Sequence, residues 1–342
     1  MAKISNKNKK FLPQFTTFYH FVDKFFHLEP FFNEKREESP QKTRIQADTK
    51  SPKKVLLKLK RNVNTGLFGL MEVMDKTLYL CDQNNRKHMS GLFKKEGKYN
   101  YLEIGEGKPI VVLHGLMGGL SNFDGVANFF PNKGYKVVVP ELPIYTQSIL
   151  KTNVKAFSKY LKDFLIFKGY EKVILLGNSL GGHIALYYTK MYPEKVEALV
   201  ITGSSGLYES AMGDSYPKRG DYEFIKKKAQ DVFYDPNIAT KEIIDDVYAT
   251  VNDRIKLLKT LTIAKSAIRH NMAKDLPKMQ TPTCIIWGAN DKVTPPNVAD
   301  DFNKLLPDSE LFWIEKCGHA AMMEHPDTFN ELLYAWLQKR GI

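Results

Sequence analysis

A serine, an aspartate and a histidine each follow a short apolar run of this 342-residue chain, in an order that suits nucleophilic catalysis. The serine lies in the segment Gly177-Asn178-Ser179-Leu180-Gly181, between the apolar run 172–176 and a helical pattern. Such a segment between a strand and a helix holds its serine on a tight, strained turn. Side chains at either end of the turn would collide with neighbouring elements, so glycine is needed at positions 177 and 181. Taken alone, the segment could equally be a turn with a capping serine.

Two residues further along the chain supply the partners that a serine nucleophile needs. Asp291 follows the apolar run 283–287, and His319 follows the run 310–314. A serine hydroxyl is a poor nucleophile at neutral pH, so we predict that His319 is the general base and that Asp291 orients its imidazole. Each residue alone is more typical of a loop, but their order beyond successive strands favours catalysis. Because the base must be neutral, we expect kcat/KM to rise with pH through the range in which histidine titrates.

The segment His114-Gly115-Leu116 directly follows the apolar run 109–113 and suits a backbone role. Acyl transfer develops negative charge on the carbonyl oxygen, and two N–H donors must already face that oxygen. We predict that the backbone N–H groups of Leu116 and Leu180 form this oxyanion hole. For the side chain of His114, a structural role is favoured. The eight histidines lack the paired spacing typical of metal ligands, so we expect neither a metal nor a cofactor.

Short β-branched runs alternate with amphipathic stretches from Leu92 onward, which predicts an α/β fold with a mostly parallel sheet. Strands are predicted at Tyr99–Ile104, Pro109–Leu113, Lys136–Val139, Lys172–Leu176, Ala198–Thr202, Thr283–Trp287 and Glu310–Ile314. Helices are predicted at Val154–Phe167, Leu180–Met191, Val298–Leu306 and Asp327–Lys339. About 80 residues separate Thr202 from Thr283, which is more than a crossover needs. We expect them to form an inserted helical cap at about residues 205–275, over the edge of the sheet where such folds bind ligands.

The chain from about Leu92 to Ile342 resembles the α/β-hydrolase family in these motifs. The resemblance implies an α/β-hydrolase fold, with a mostly parallel eight-stranded sheet flanked by helices and an inserted helical cap. Within the family, the chain is most similar to the branch that hydrolyses carbon–carbon bonds in meta-cleavage products of aromatic degradation, and esterases share much of this pattern. The residues that carry this similarity are Gly177–Gly182, Ser121-Asn122-Phe123, Lys316–His319 and Glu324-His325-Pro326-Asp327.

Two positions differ from the carbon–carbon branch. Val247 stands where those enzymes use an arginine to hold the dienoate carboxylate, and Ala320 stands where they usually carry tryptophan. Arg219 and Arg269 are alternative anion anchors, although a basic, solvated cap explains both more simply. We therefore expect hydrolysis of a small carboxylic ester or related acyl substrate, with carbon–carbon hydrolysis as the alternative. A non-catalytic receptor or scaffold is a third interpretation, against which the complete triad argues.

The net charge of +12 is concentrated near the amino terminus. Residues 1–70 carry 15 Lys and Arg against 6 Asp and Glu, so the remainder is close to neutral. We interpret residues 1–88 as a basic, disordered extension and residues 89–342 as the hydrolase domain. The aromatic spacing within residues 11–32 could instead form a membrane-surface helix. A start of translation at Met71, Met74 or Met89 is an equally weighted alternative.

The composition indicates which kinds of partner and which cellular compartment to expect. No run of about 18 apolar residues occurs, so stable membrane insertion is not expected. Nucleic-acid binding has no supporting motif and is not expected either. The three cysteines are odd in number and not paired in spacing, which favours reduced thiols in the cytoplasm. A small-molecule substrate is the expected partner, and the sequence leaves a homodimer open.

Overall fold

The computed structural model describes residues 93–208 and 219–342, so the interpretations of residues 1–88 lie outside the described residues. Within these ranges, eight strands form one sheet in the order β1-β2-β4-β3-β5-β6-β7-β8. The strands are β1 Phe93–Glu96, β2 Tyr99–Ile104, β3 Lys108–Leu113, β4 Tyr135–Pro140, β5 Val173–Asn178, β6 Val196–Thr202, β7 Thr283–Gly288 and β8 Ser309–Ile314. Only the pairings of β2 with β1 and with β4 are antiparallel. The predicted mostly parallel, eight-stranded sheet is therefore confirmed.

Helices follow most of the strands. The α-helices of the described residues are α1 Asp124–Phe129, α2 Val154–Phe167, α3 Leu180–Met191, α4 Tyr222–Gln230, α5 Lys241–Asn252, α6 Arg254–Arg269, α7 Pro296–Leu305, α8 Ala321–Glu324 and α9 Pro326–Arg340. Short 3-10 helices occur at Leu120–Phe123, Phe130–Lys133, Ile149–Lys151, Pro193–Lys195, Pro236–Ile238 and Leu276–Lys278. None of the helices within residues 93–208 and 219–342 is long and apolar enough to cross a membrane.

The central strands are continuous apolar runs because helices cover both faces of a parallel sheet. Every residue of β5 is buried, as are the last four residues of β3. The register pairs Leu113 of β3 with Gly177 of β5, and Asn178 of β5 with Thr202 of β6. The chain therefore leaves three adjacent strands at the same edge of the sheet, so side chains that follow them lie close together.

The helix α2 is one of the helices that cover the sheet. It begins at an N-cap, Asn153, whose side-chain oxygen accepts a hydrogen bond from the Ala156 N–H at 2.9 Å. Its apolar residues recur at helical spacing, and Phe157, Leu161 and Phe164 are fully buried against the core. This packing fixes the start of α2, which lies beside the last helix of the segment between β6 and β7.

The helices α4, α5 and α6 occupy the described part of the interval between β6 and β7. The helix α6 joins the sheet domain through Lys259, whose ammonium group donates to the Tyr145 carbonyl at 2.7 Å. It also joins at its C-terminal end, where His270 and His183 of α3 share a hydrogen bond of 3.0 Å. Within residues 219–275, the described part of the predicted cap, three α-helices therefore form, and α6 is tied to the helix that follows Ser179.

Candidate active site

Ser179 occupies the turn between β5 and α3 in a backbone conformation that is rare for a residue with a side chain. Its φ is 56° and its ψ is −121°. This backbone conformation is strained for a residue other than glycine, and residues that adopt such conformations cluster at functional sites. A methyl group added at Gly177 would lie 2.5 Å from the backbone of Gly181, and one added at Gly181 would overlap the carbonyl oxygen of Leu113. Only glycine fits at either position, so these two residues allow the turn that presents Ser179.

His319 and Asp291 meet at the same edge of the sheet, from the loops that follow β8 and β7. The His319 Nδ1–H donates to Asp291 Oδ2 at 2.9 Å, and both side chains are buried. The other carboxylate oxygen accepts the N–H groups of Val293 and Thr294 at 2.8 and 3.0 Å. The Thr294 hydroxyl donates to Asp291 Oδ2 at 2.8 Å. The carboxylate is therefore fixed by hydrogen bonds on both oxygens, and it fixes the imidazole in turn.

Asn178 links the serine turn to the histidine loop. Its side-chain amide donates to the carbonyl of Thr202 at 3.0 Å and to the carbonyl of His319 at 3.1 Å. The Ser179 N–H also donates to the Thr202 carbonyl, at 3.1 Å. Gly203 lies directly against the His319 ring, because an added methyl group there would be 2.9 Å from Nδ1. These contacts hold the turns that carry Ser179 and His319 against the end of β6.

The segment that follows β3 passes beside Ser179. A methyl group added at Gly115 would lie 3.3 Å from the Ser179 Cβ. The predicted oxyanion donors are Leu116, the next residue along this segment, and Leu180, whose N–H lies in the unsatisfied first turn of α3. The Tyr145 hydroxyl donates to the Leu116 carbonyl at 3.4 Å. Both proposed donors therefore lie on backbone that adjoins the serine.

The side chain of His114 has a structural role. Its Nε2 accepts the N–H of Leu142 at 3.0 Å, and its Nδ1–H donates to the carbonyl of Gly115 at 2.9 Å. Burial lowers the pKa of His114, which keeps the ring neutral and lets Nε2 accept a hydrogen bond. This residue ties the segment 114–116 to the chain that follows β4.

Glu324 makes contacts beside the site that were not predicted from the sequence. Its two carboxylate oxygens accept the N–H groups of Gly318 and Tyr234, each at 2.7 Å. Burial raises the pKa of Glu324, and the hydrogen bonds from Tyr234 and Gly318 oppose that rise. The carboxylate thus joins the turn before His319 to the chain that follows α4. Glu324 belongs to the segment 324–327 that carries the family resemblance, but no contact was assigned to it from the sequence.

The remaining sequence candidates lie in different places. Val247 is half-buried on α5, and Ala320 is buried immediately before α8. Arg269 lies at the end of α6 and lines a groove to which none of Ser179, Asp291 and His319 contributes. Arg219 contributes its carbonyl oxygen as an acceptor for the Asn252 side chain, at 2.9 Å.

The fold and this site define an enzyme class, and comparison with known proteins agrees. A family model for the alpha/beta hydrolase fold matches residues 108–234 and 247–326. The chain therefore belongs to the alpha/beta hydrolase fold family, as the motifs predicted, and it is a hydrolase.

Relatives with assigned activities cover most of the described residues. A 2-hydroxy-6-oxononadienedioate/2-hydroxy-6-oxononatrienedioate hydrolase of Paraburkholderia phymatum is 30% identical, over 71% of this chain and 91% of its own length. A 2-hydroxy-6-oxo-6-phenylhexa-2,4-dienoate hydrolase of Burkholderia cepacia is 25% identical, over 69% of this chain and 89% of its own.

Solved structures of other hydrolases are also similar to this chain. An alpha/beta hydrolase from the metagenome of Mar Chica lagoon sediments in Morocco is 63% identical, with a TM-score of 0.62 over 73% of this chain and 99% of that protein. A serine hydrolase involved in carbazole degradation is 25% identical, with a TM-score of 0.60 over 70% of this chain and 94% of that protein.

Proposed function

We propose that this protein hydrolyses a small carboxylic ester or related acyl substrate, with Ser179 as nucleophile. The observation that carries the proposal is the buried 2.9 Å hydrogen bond between Asp291 and His319, at the sheet edge where Ser179 occupies its strained turn. Because Nδ1 of the histidine donates to the aspartate, Nε2 is the nitrogen that accepts the serine proton.

The reaction proceeds through an acyl-enzyme. Ser179 Oγ attacks the substrate carbonyl while His319 removes its proton, and the N–H groups of Leu116 and Leu180 stabilise the oxyanion. The protonated histidine then gives its proton to the leaving alcohol. Water activated by the same histidine attacks the acyl-enzyme, and the acid leaves with Ser179 restored. No cofactor takes part in these steps.

Carbon–carbon hydrolysis is the second candidate, because the relatives described above are named for dienoate substrates of that kind. Two features favour the ester instead. Val247 replaces the arginine that the resemblance associates with carboxylate binding in the carbon–carbon branch, and Ala320 replaces its tryptophan. An uncharged side chain at position 247 supplies no anchor for a dienoate carboxylate.

The test compares kcat/KM for p-nitrophenyl butyrate with that for 2-hydroxy-6-oxo-6-phenylhexa-2,4-dienoate. We expect the ester to be preferred by about tenfold or more, and Ser179→Ala to lower kcat by about 10⁴-fold or more. The matched control is Ser309→Ala, which removes a serine hydroxyl at the start of β8 and leaves kcat unchanged. A faster dienoate reaction would support the second candidate. Near wild-type ester hydrolysis by the Ser179 variant would overturn the catalytic assignment.

The cytoplasm is the compartment that we propose. Cys284 and Cys317 are both buried as free thiols, and Cys284 lies in the core strand β7. Free thiols are typical of a reducing compartment, which supports this placement.

A further inference from the structure

A groove of about 600 Å³ lies between the start of α2 and the C-terminal half of α6. We call it the basic groove, and its lining residues include Ile149, Leu150, Lys155, Lys265 and Arg269. This volume lies within the range of small-ligand sites. None of the residues proposed for catalysis lines it.

The charges of the basic groove are all of one sign. Lys155, Lys265 and Arg269 line it, together with His270, and no carboxylate does. None of the three cations forms an ion pair with any residue in the part of the chain that the structure describes. Three uncompensated cations in one concave site attract an anion, and a guanidinium can hold a carboxylate with two hydrogen bonds.

Apolar side chains adjoin these cations. Leu150 is 91% exposed and Ile149 is 40% exposed, although both are large and apolar. On α6, Ile255 and Leu258 are also exposed and recur at the spacing that places them on the same face as Thr262 and Lys265. Exposed apolar groups beside a charged groove are typical of a binding surface with an apolar and a charged part.

We propose that the basic groove binds one molecule of an amphipathic anion with a single alkyl chain. Its anionic head lies among Lys155, Lys265 and Arg269, and its chain covers Ile149 and Leu150. A groove of this volume accommodates a single small molecule, whereas a bilayer is bound by a broader and protruding apolar face. This ligand site goes beyond the proposed hydrolysis and does not depend on it.

The test is calorimetric titration of the full chain with dodecanoate at pH 8, below its critical micelle concentration. We expect saturable binding at one site. Lys265→Gln combined with Arg269→Gln should weaken it by about tenfold or more, because two charge-assisted hydrogen bonds are lost. Lys155→Gln provides an independent change on the opposite wall. The matched control combines Lys172→Gln with Lys195→Gln, two exposed lysines that precede β5 and β6 at the other edge of the sheet, and should bind as the wild type does.

Several results would overturn the proposal. Equal affinity for dodecyltrimethylammonium would show that charge does not select the ligand, and equal affinity for inorganic phosphate would show that the alkyl chain contributes nothing. Unchanged binding in both groove variants would locate the ligand elsewhere. Binding to phosphatidylglycerol vesicles without binding to monomeric dodecanoate would identify a membrane surface instead. Because the readout is binding, loss of esterase activity in Ser179→Ala leaves this test intact.

Discussion

The carboxylate of Asp291 accepts four hydrogen bonds, and only one of them comes from His319. The Thr294 hydroxyl donates to the oxygen that the imidazole also uses, and it lies 3.3 Å from His319 Nδ1. A carboxylate held on all sides keeps its partner ring in one orientation at no cost during the reaction. We therefore interpret Thr294 as a positioning residue that acts through Asp291.

Thr294→Val tests this role, because valine keeps the shape and removes only the hydroxyl. We expect kcat to fall by about tenfold, since Asp291 loses one of its three hydrogen-bond donors other than His319, while KM stays nearly unchanged. Steady-state kinetics with p-nitrophenyl butyrate measure both values. The matched control is Thr202→Val, at the end of β6, because the buried Thr202 hydroxyl has no hydrogen-bond partner among the described residues. An equal loss of kcat in both variants would contradict the assigned role.

The ends of strands and the turns that follow them were the predictable part of this protein. Helices Val154–Phe167 and Leu180–Met191 agree with their predicted bounds, and the predicted strands differ from the observed ones by at most two residues at either end. Apolar periodicity determines these elements because each has a face in the core. Residue order then placed Asp291 and His319 beyond β7 and β8, where the structure brings them within hydrogen-bonding distance.

The strand β1, the short helices α1 and α8, and two contacts were not predicted. The strand β1 has the sequence Phe-Lys-Lys-Glu with all four residues exposed, so it shows no apolar alternation. The helix α1 is only six residues long, which is too short for a helical period to stand out. Thr294 and Glu324 act by hydrogen bonds that depend on the loop conformation, and loop conformation leaves no periodic signal in a single sequence.

Gly181→Ala tests the turn at the level of the element. The added methyl group would overlap the carbonyl oxygen of Leu113, which belongs to β3 and cannot move without breaking the sheet. We expect unfolding to become easier by about 3 kcal/mol, measured by urea denaturation. Gly220→Ala is the matched control, since no residue of the described ranges lies within 4 Å of its added methyl group, and it should change stability by less than about 0.5 kcal/mol. Equal effects of the two substitutions would refute the packing argument.

At the scale of the whole molecule, the segment between β6 and β7 is joined to the sheet domain by residues that are far apart in sequence. Glu324 accepts the N–H of Tyr234, 90 residues away, and Lys259 donates to Tyr145, 114 residues away. His183 and His270 are separated by 87 residues. Such pairs are long-range contacts between parts that fold separately along the chain. Local sequence patterns therefore predicted the position of the segment but not the hydrogen bonds that attach it to the sheet domain.

The pair of His183 and His270 makes one of these attachments sensitive to acid. Burial, with a further contribution from the neighbouring His270, lowers the pKa of His183 to about 3, whereas an unfolded histidine titrates near 6.5. Between these values the unfolded chain binds a proton that the folded chain excludes. The contribution of neutral, buried His183 to the free energy of unfolding is therefore fully present above about pH 6.5 and is lost as the pH falls toward 3. From pH 7 to pH 5 the loss is about 2 kcal/mol. His183→Gln can still form a hydrogen bond with His270 but cannot be protonated, so urea denaturation at both pH values should show a correspondingly smaller pH dependence. An unchanged dependence would mean that His183 accepts a proton in the folded protein.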